Sequence, residues 1–194
     1  MPASATDPHI GLVVEGPGDA RAVPILLRAH LCATGEYRDV LGKPIGCNGR
    51  EKAIAKSGIE GFVAAAAARP GCSGILIVLD SEGDPVCERG PELLTRARRV
   101  STIPVSIALA DRCFEDWLFA SAESLGLDGL AYNPQARGNG AIVQALRPAK
   151  YVKPTWQPRL ASRLNLPLAA SRSASLRRML ERFDGLREAL PAHQ

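Results

Sequence analysis

"GLVVEGPGD", residues 11 to 19, carries an apolar run straight into a carboxylate, Glu15, followed by Gly16, Pro17 and Gly18. Residues 10–14, "IGLVV", are β-branched or apolar with no polar alternation, so they read as a short strand buried on both faces, as in a parallel sheet. A second run, "GILIVLDSEGD" at 74 to 84, ends the same way in Asp80, Glu82 and Asp84. Two buried strands that each deliver acids at their carboxyl ends suggest a shared acidic edge.

Around these runs, strand and helix signals alternate. A helix is expected from about Asp19 to Ala33, with Val23, Leu26, Leu27, His30 and Leu31 on one stripe and Pro24 in its first turns. A short strand is expected near 38–45, a helix over 51–68 stopped by "RPG" at 69–71, a strand at 75–79, a helix around 90–99 and a strand at 103–109. Such alternation predicts an α/β fold: a mostly parallel central sheet, helices on both faces, and ligand sites at the carboxyl ends of the strands. After residue 111 come a short helix carrying "FEDWLFA" (114–120), a connection at 126–140, a short helix near 140–147, the segment "KYVKPTWQP" and a last amphipathic helix at 173–190. The expected division is an α/β domain over 9–125 and a basic helical extension over 126–194 packed on it.

The composition is that of a globular chain, 46% apolar and 23% charged over 194 residues. Its apolar runs are shorter than the roughly 18–20 residues of a membrane span. With no basic and apolar leader at the N-terminus, a cytoplasmic protein without membrane contact is expected. Five cysteines without a C-x-x-C pair argue against zinc and disulfides; Cys113 stands beside an acidic cluster. The histidines offer little, His9 and His193 being near the termini. The glycine patterns of dinucleotide and P-loop sites are missing. The net charge of +4 hides an asymmetry: residues 137–194 hold eleven Lys or Arg against three acids, and residues 1–136 thirteen against seventeen. A basic tail fits a polyanion such as nucleic acid or a solvated helix face.

The acids set the chemistry. Asp80 and Glu82, one residue apart at a strand end, can point the same way toward a hard cation such as Mg²⁺; Glu15 can complete the site or activate water, and Asp84 is an extra ligand candidate. Solvated turn chemistry is the plain alternative for 80–84. Arg50 and Lys52, after a glycine turn, could reach the same edge and offset charge on a phosphate, or simply begin a helix. Lys150, Lys153, Arg172 and Arg177 are candidates for nucleic-acid backbone contacts, with Tyr151 and Trp156 able to stack on bases or to anchor a core.

This arrangement resembles the TOPRIM domain of topoisomerases, primases and the overcoming-lysogenization-defect (OLD) nucleases, marked by a strand ending in Glu-Gly and a later one ending in Asp-x-Asp. Glu15 and Gly16 match the first mark and Asp80 begins the second, with Glu82 in place of its second aspartate. "FEDWLFA", "NGREK" (48–52), "KYVKP" (150–154) and "SRSASLRRML" (171–180) are similar to small stand-alone TOPRIM-like bacterial proteins, the RloB-like group, encoded beside ATPases in anti-phage loci. The resemblance implies that Asp80 and Glu82 bind Mg²⁺ or Mn²⁺, that Glu15 is base or ligand, and that Glu115 supports a second metal.

The expected function is a metal-dependent nuclease cutting DNA or RNA in phage defence, with an ATPase partner. A non-catalytic nucleic-acid-binding module docked on an ATPase and a small-nucleotide phosphatase or phosphotransferase are the alternatives, and homo-oligomerisation is left open.

Overall fold

Alternation of buried strands with amphipathic helices gives an α/β architecture in the computed structural model, which describes residues 7–191. Four strands, β1 (His9–Val14), β2 (Ile45–Gly46), β3 (Cys72–Asp80) and β4 (Val105–Ala110), form one sheet in the order β2-β1-β3-β4. Every pairing is parallel, with Val14 opposite Val78 and Asp80 opposite Ala110.

The period of two along each strand explains the two-sided core. Ile10, Leu12, Val14, Leu76, Val78, Ala108 and Ala110 face one apolar layer with α1 (Pro17–Ala33), α5 (Phe114–Phe119) and α9 (Ala174–Glu188). Val13, Ile75, Ile77, Leu79, Val105, Ile107 and Leu109 face the other, with α3 (Gly58–Ala67) and α4 (Val86–Arg98). Asp80 continues the series 76, 78, 80, so its side chain belongs to the α1 and α5 face. From β1 the chain leaves toward β2, and from β3 toward β4. The carboxyl ends of β1 and β3 therefore flank the point where strand order reverses, where such sheets open a crevice.

Several elements differ from the sequence-based expectation. The strand expected over 38–45 shrinks to Ile45–Gly46 and a single bridge between Ile10 and Leu41, because Pro44 has no N–H to donate to a ladder. The helix expected over 51–68 is two, α2 (Arg50–Ile54) and α3, broken where Ser57 takes φ 61°. Pro24 lies inside α1 rather than in its first turns, because the helix begins at Pro17.

Two short helices, α7 (Lys153–Ala161) and α8 (Leu166–Arg172), occupy the stretch between the helix expected near 140–147 and the last one, where no element was expected. Pro154 and Pro167 sit in first turns, where a missing N–H costs little. Pro158 lies inside α7 and leaves the Pro154 carbonyl without its helical donor; Arg21 Nη1 donates to that carbonyl at 3.3 Å. The tail is thus built into the fold: α7 packs along α1, and α9 lies on β4 and β3. α6 (Gly138–Ala145) packs against α5. No helix among the described residues is long and apolar enough to cross a membrane. Residues 1–6, part of the N-terminal stretch read above, and His193 lie outside the described residues.

Candidate functional site

The turn after β1 places Glu15 beside the end of β3, where its Oε2 accepts the Asp80 N–H at 3.3 Å. Asp80 is 6% exposed, and its Oδ1 accepts the Phe114 N–H at 2.8 Å at the start of α5. Two further acids close the corner. Asp19, in the first turn of α1, accepts the Gly16 N–H through Oδ2 at 3.0 Å and caps the helix there. Glu115, on α5, has no exposed surface. Its Oε1 accepts the Tyr151 hydroxyl at 2.8 Å and Gln157 Nε2 at 3.1 Å, while its Oε2 is buried without a partner.

One cation faces this group. Lys153, at the start of α7, puts Nζ 3.8 Å from both Asp80 Oδ2 and Glu115 Oε1. Its placement depends on a close helix contact: a Cβ on Gly18 of α1 would stand 1.9 Å from Gln157 Oε1 and 3.1 Å from the carbonyl carbon of Lys153.

Crowding and burial shift the titration of the corner. Burial, then the charges of Glu15 and Asp19, raise the Asp80 carboxyl to about 8, with Lys153 opposing. Burial likewise raises Glu15 and Asp19. Burial tends to lower the Lys153 ammonium, but the charges of Glu115, Asp80, Asp19 and Glu15 outweigh it and hold its pKa above the ordinary value. Burial pushes the Cys113 thiol up to about 12, which keeps it a neutral packing group at ordinary pH.

The other expected residues are distributed differently. Glu82 does not share the face of Asp80: strand geometry stops at residue 80, and Glu82 sits exposed in a turn at φ 52°. Its charge still reaches Glu15. Asp84 points away from the corner, bound by the guanidiniums of Arg50 and Arg89. Arg50 is buried and donates Nε to the Asp80 carbonyl at 3.0 Å, so it braces the turn after β3 instead of presenting a free charge.

Lys52 is exposed on α2 with neither ion pair nor hydrogen bond, and Lys150 is exposed beyond α6. Lys153, expected on a nucleic-acid backbone, belongs to the acid corner. Arg172 holds the Ala120 carbonyl and Glu123 and lies over the Tyr132 ring, and Arg177 holds the Ala170 carbonyl. Tyr151 spends its hydroxyl on Glu115, and Trp156 donates its indole N–H to the Lys150 carbonyl.

Asp19, Gln157 and the role of Lys153 were not legible in advance. The signal for Asp19 was its place four residues after Glu15; that for Lys153 and Gln157 exists only once α7 lies on α1. Among the described residues no three His, Cys, Asp or Glu side chains stand in a geometry that could hold a metal ion as they are. Mg²⁺ asks for less: one or two carboxylates, with waters and substrate phosphate filling the octahedron. The hard oxygens of Glu15 and Asp80, and the buried, unpartnered Glu115 Oε2, fit such a cation in kind.

No family model matches the chain, and no curated protein does. Two solved structures are similar in shape. The C-terminal region of the Burkholderia pseudomallei OLD protein aligns with TM-score 0.46 and 15% identity over 92% of this chain and 98% of that one. The C-terminal region of the Xanthomonas campestris pv. campestris OLD protein aligns with TM-score 0.47 and 14% identity over 93% of this chain and 97% of that one.

Proposed function

We propose that this protein is a divalent-metal-dependent nuclease that hydrolyses phosphodiester bonds. The observation that carries the reading is the meeting of Glu15 and Asp80, 65 residues apart in the chain, at the reversal point of a parallel sheet. Asp80 and Glu15 would hold Mg²⁺ or Mn²⁺, with Glu115 and Asp19 adding negative charge behind them and Glu82 at the rim. When bound, the ion supplies Lewis acidity toward a phosphoryl oxygen and lowers the pKa of coordinated water.

The protein's own groups divide the remaining work. Glu15 Oε2 is held by the Asp80 N–H, which leaves Oε1 to take a proton from an attacking water; burial raises the affinity of this carboxylate for that proton. The Lys153 ammonium, 3.8 Å from two carboxylates, can turn toward charge growing on the phosphate oxygens. Tyr151 and Gln157 hold Glu115 in place from one side. Asp80→Ala is expected to abolish Mg²⁺-dependent nicking of plasmid DNA and cleavage of RNA while the circular dichroism spectrum is retained; nicking at the wild-type rate by that variant removes the proposal.

A phage-defence role with an ATPase partner follows from the sequence resemblance. One observation favours a non-catalytic nucleic-acid-binding module as second reading: Lys153 already neutralises part of the corner. Strand binding without Mn²⁺ binding or cleavage would select it.

A further inference from the structure

The arginines of the described chain fall into two classes. All but Arg98, Arg99, Arg137 and Arg147 have a hydrogen bond, an ion pair or a ring contact within the protein. Arg98 and Arg99 end α4, which packs on the face of the sheet turned away from the Asp80 side chain. Arg137 and Arg147 bracket α6, and both line one open groove of about 950 Å³ with Asn133, Gln144 and Trp156 along its walls. The acid among its lining residues is Asp128.

This groove continues to Glu82, two residues after Asp80. At its Arg137 end it meets a second cavity of about 380 Å³ that shares Arg137 and Gly140 and is lined by Glu82, Cys113 and Asp116. Cys113 precedes Phe114, whose N–H holds the Asp80 carboxylate. The Asp116 carboxylate is occupied by Arg112 Nε at 2.6 Å and the Gly138 N–H at 2.7 Å, so the guanidiniums of Arg137 and Arg147 are the cations left without a protein partner along the path, with the carboxylates of Asp128 and Glu82 at its two ends.

We propose that the groove along α6 binds one strand of nucleic acid, with Arg137 and Arg147 on phosphates three to four steps apart, and delivers it to the acid corner. The eight residues of α6 span about 12 Å at about 1.5 Å each, roughly three to four steps of a stacked strand at about 3.4 Å per nucleotide. A groove of this volume takes a few nucleotides of one strand, not both strands of a duplex. The Trp156 indole lines the wall, with the Arg159 guanidinium 5.5 Å over its ring. Delivery to the corner rests on the nuclease reading; strand binding does not.

Fluorescence anisotropy with short fluorescein-labelled oligothymidine and oligouridine, in EDTA so that metal and cleavage play no part, tests the groove. Arg137→Ala with Arg147→Ala is expected to weaken binding about tenfold or more and to make the log–log salt dependence shallower by about 1.4, at about 0.7 per single-strand phosphate contact. Arg137→Lys with Arg147→Lys is expected to restore part of the loss. Arg98→Ala with Arg99→Ala, which removes equal charge from the helix on the other face of the sheet, is expected to bind like the wild type. Unaltered binding by the first pair, an equal loss in the α4 pair, or tighter binding of a duplex than of its single strands overturns the proposal. Plasmid cleavage is scored separately. If the wild type never cuts but strands bind through Arg137 and Arg147, the nuclease reading fails and the groove stands; if it cuts and the double variant binds normally, the reverse holds.

Discussion

The acid corner and helix α9 handle charge in opposite ways. On α9 each arginine is matched inside the protein: Arg177 to the Ala170 carbonyl, Arg178 to Asp111, Arg182 to the Ile107 carbonyl and Arg187 to Asp184. At the corner, Glu15, Asp19, Asp80 and Glu115 crowd around one lysine, and a buried oxygen of Glu115 has no partner. Matched charges secure an element; unmatched ones in a buried crevice cost stability and persist where a ligand is to supply the missing partner. The basic tail, conspicuous in composition, is therefore mostly paired within the fold; among its described residues the side-chain charges without a partner are those of Arg137, Arg147 and Lys150.

The contrast can be broken in several places, the largest effect first. Gly18→Ala should drive α7 off α1 and withdraw Lys153 from the acids; overpacking of this kind costs about 1–3 kcal/mol, or about 2–12 °C in Tm for a chain of this size. A calorimetric scan that shows no loss would mean α7 has room to shift.

Asp80→Asn tests the corner with the opposite sign. In the unfolded chain this carboxyl ionises near the ordinary aspartate value of 3.8, and in the folded protein burial and the neighbouring carboxylates push it up to about 8. The folded state thus keeps a proton that the unfolded chain has released, and this group's contribution to stability declines as pH rises from about 4 to about 8. Without metal at pH 8 the variant should melt about 2–6 °C above the wild type, the gain fading toward pH 4. A lower Tm at pH 8 would show that the corner's charges are already compensated.

On α9 the sign reverses. Arg182→Met removes the donor on the Ile107 carbonyl at the outer edge of β4 and should lose about 1 kcal/mol, or about 2–4 °C. Smallest of all, Arg177→Ala, an exposed residue holding one carbonyl, should change stability by no more than about 0.5 kcal/mol and leave strand affinity unaltered. A large loss of nucleic-acid binding in that variant would return the binding surface to the tail.

The strands β1, β3 and β4 were legible because burial on both faces leaves an unbroken apolar run. Glu15 and Asp80 were legible because each interrupts such a run at its carboxyl end. β2 was legible only as a longer strand over 38–45, because its actual pairing is confined to Ile45 and Gly46 beside Val13 and Val14, after Pro44. α7 and α8 were hidden by prolines whose positions in the first turn, or beside the Arg21 donor, make them harmless. The expected common face of Asp80 and Glu82 is missing for a local reason: the left-handed turn at Glu82 ends the alternation on which it depended.

The order of residues by itself determined the parallel sheet and the two acids at its edge, because hydrophobic periodicity and strand termini are local properties of the chain. Which further groups join them was decided only in three dimensions. Asp19 is set by the start of α1, Glu115 by α5, and Lys153 by the fit of α7 against Gly18. Whether a charge is spent or free depends on what packs against it, and that partner is usually distant in the chain.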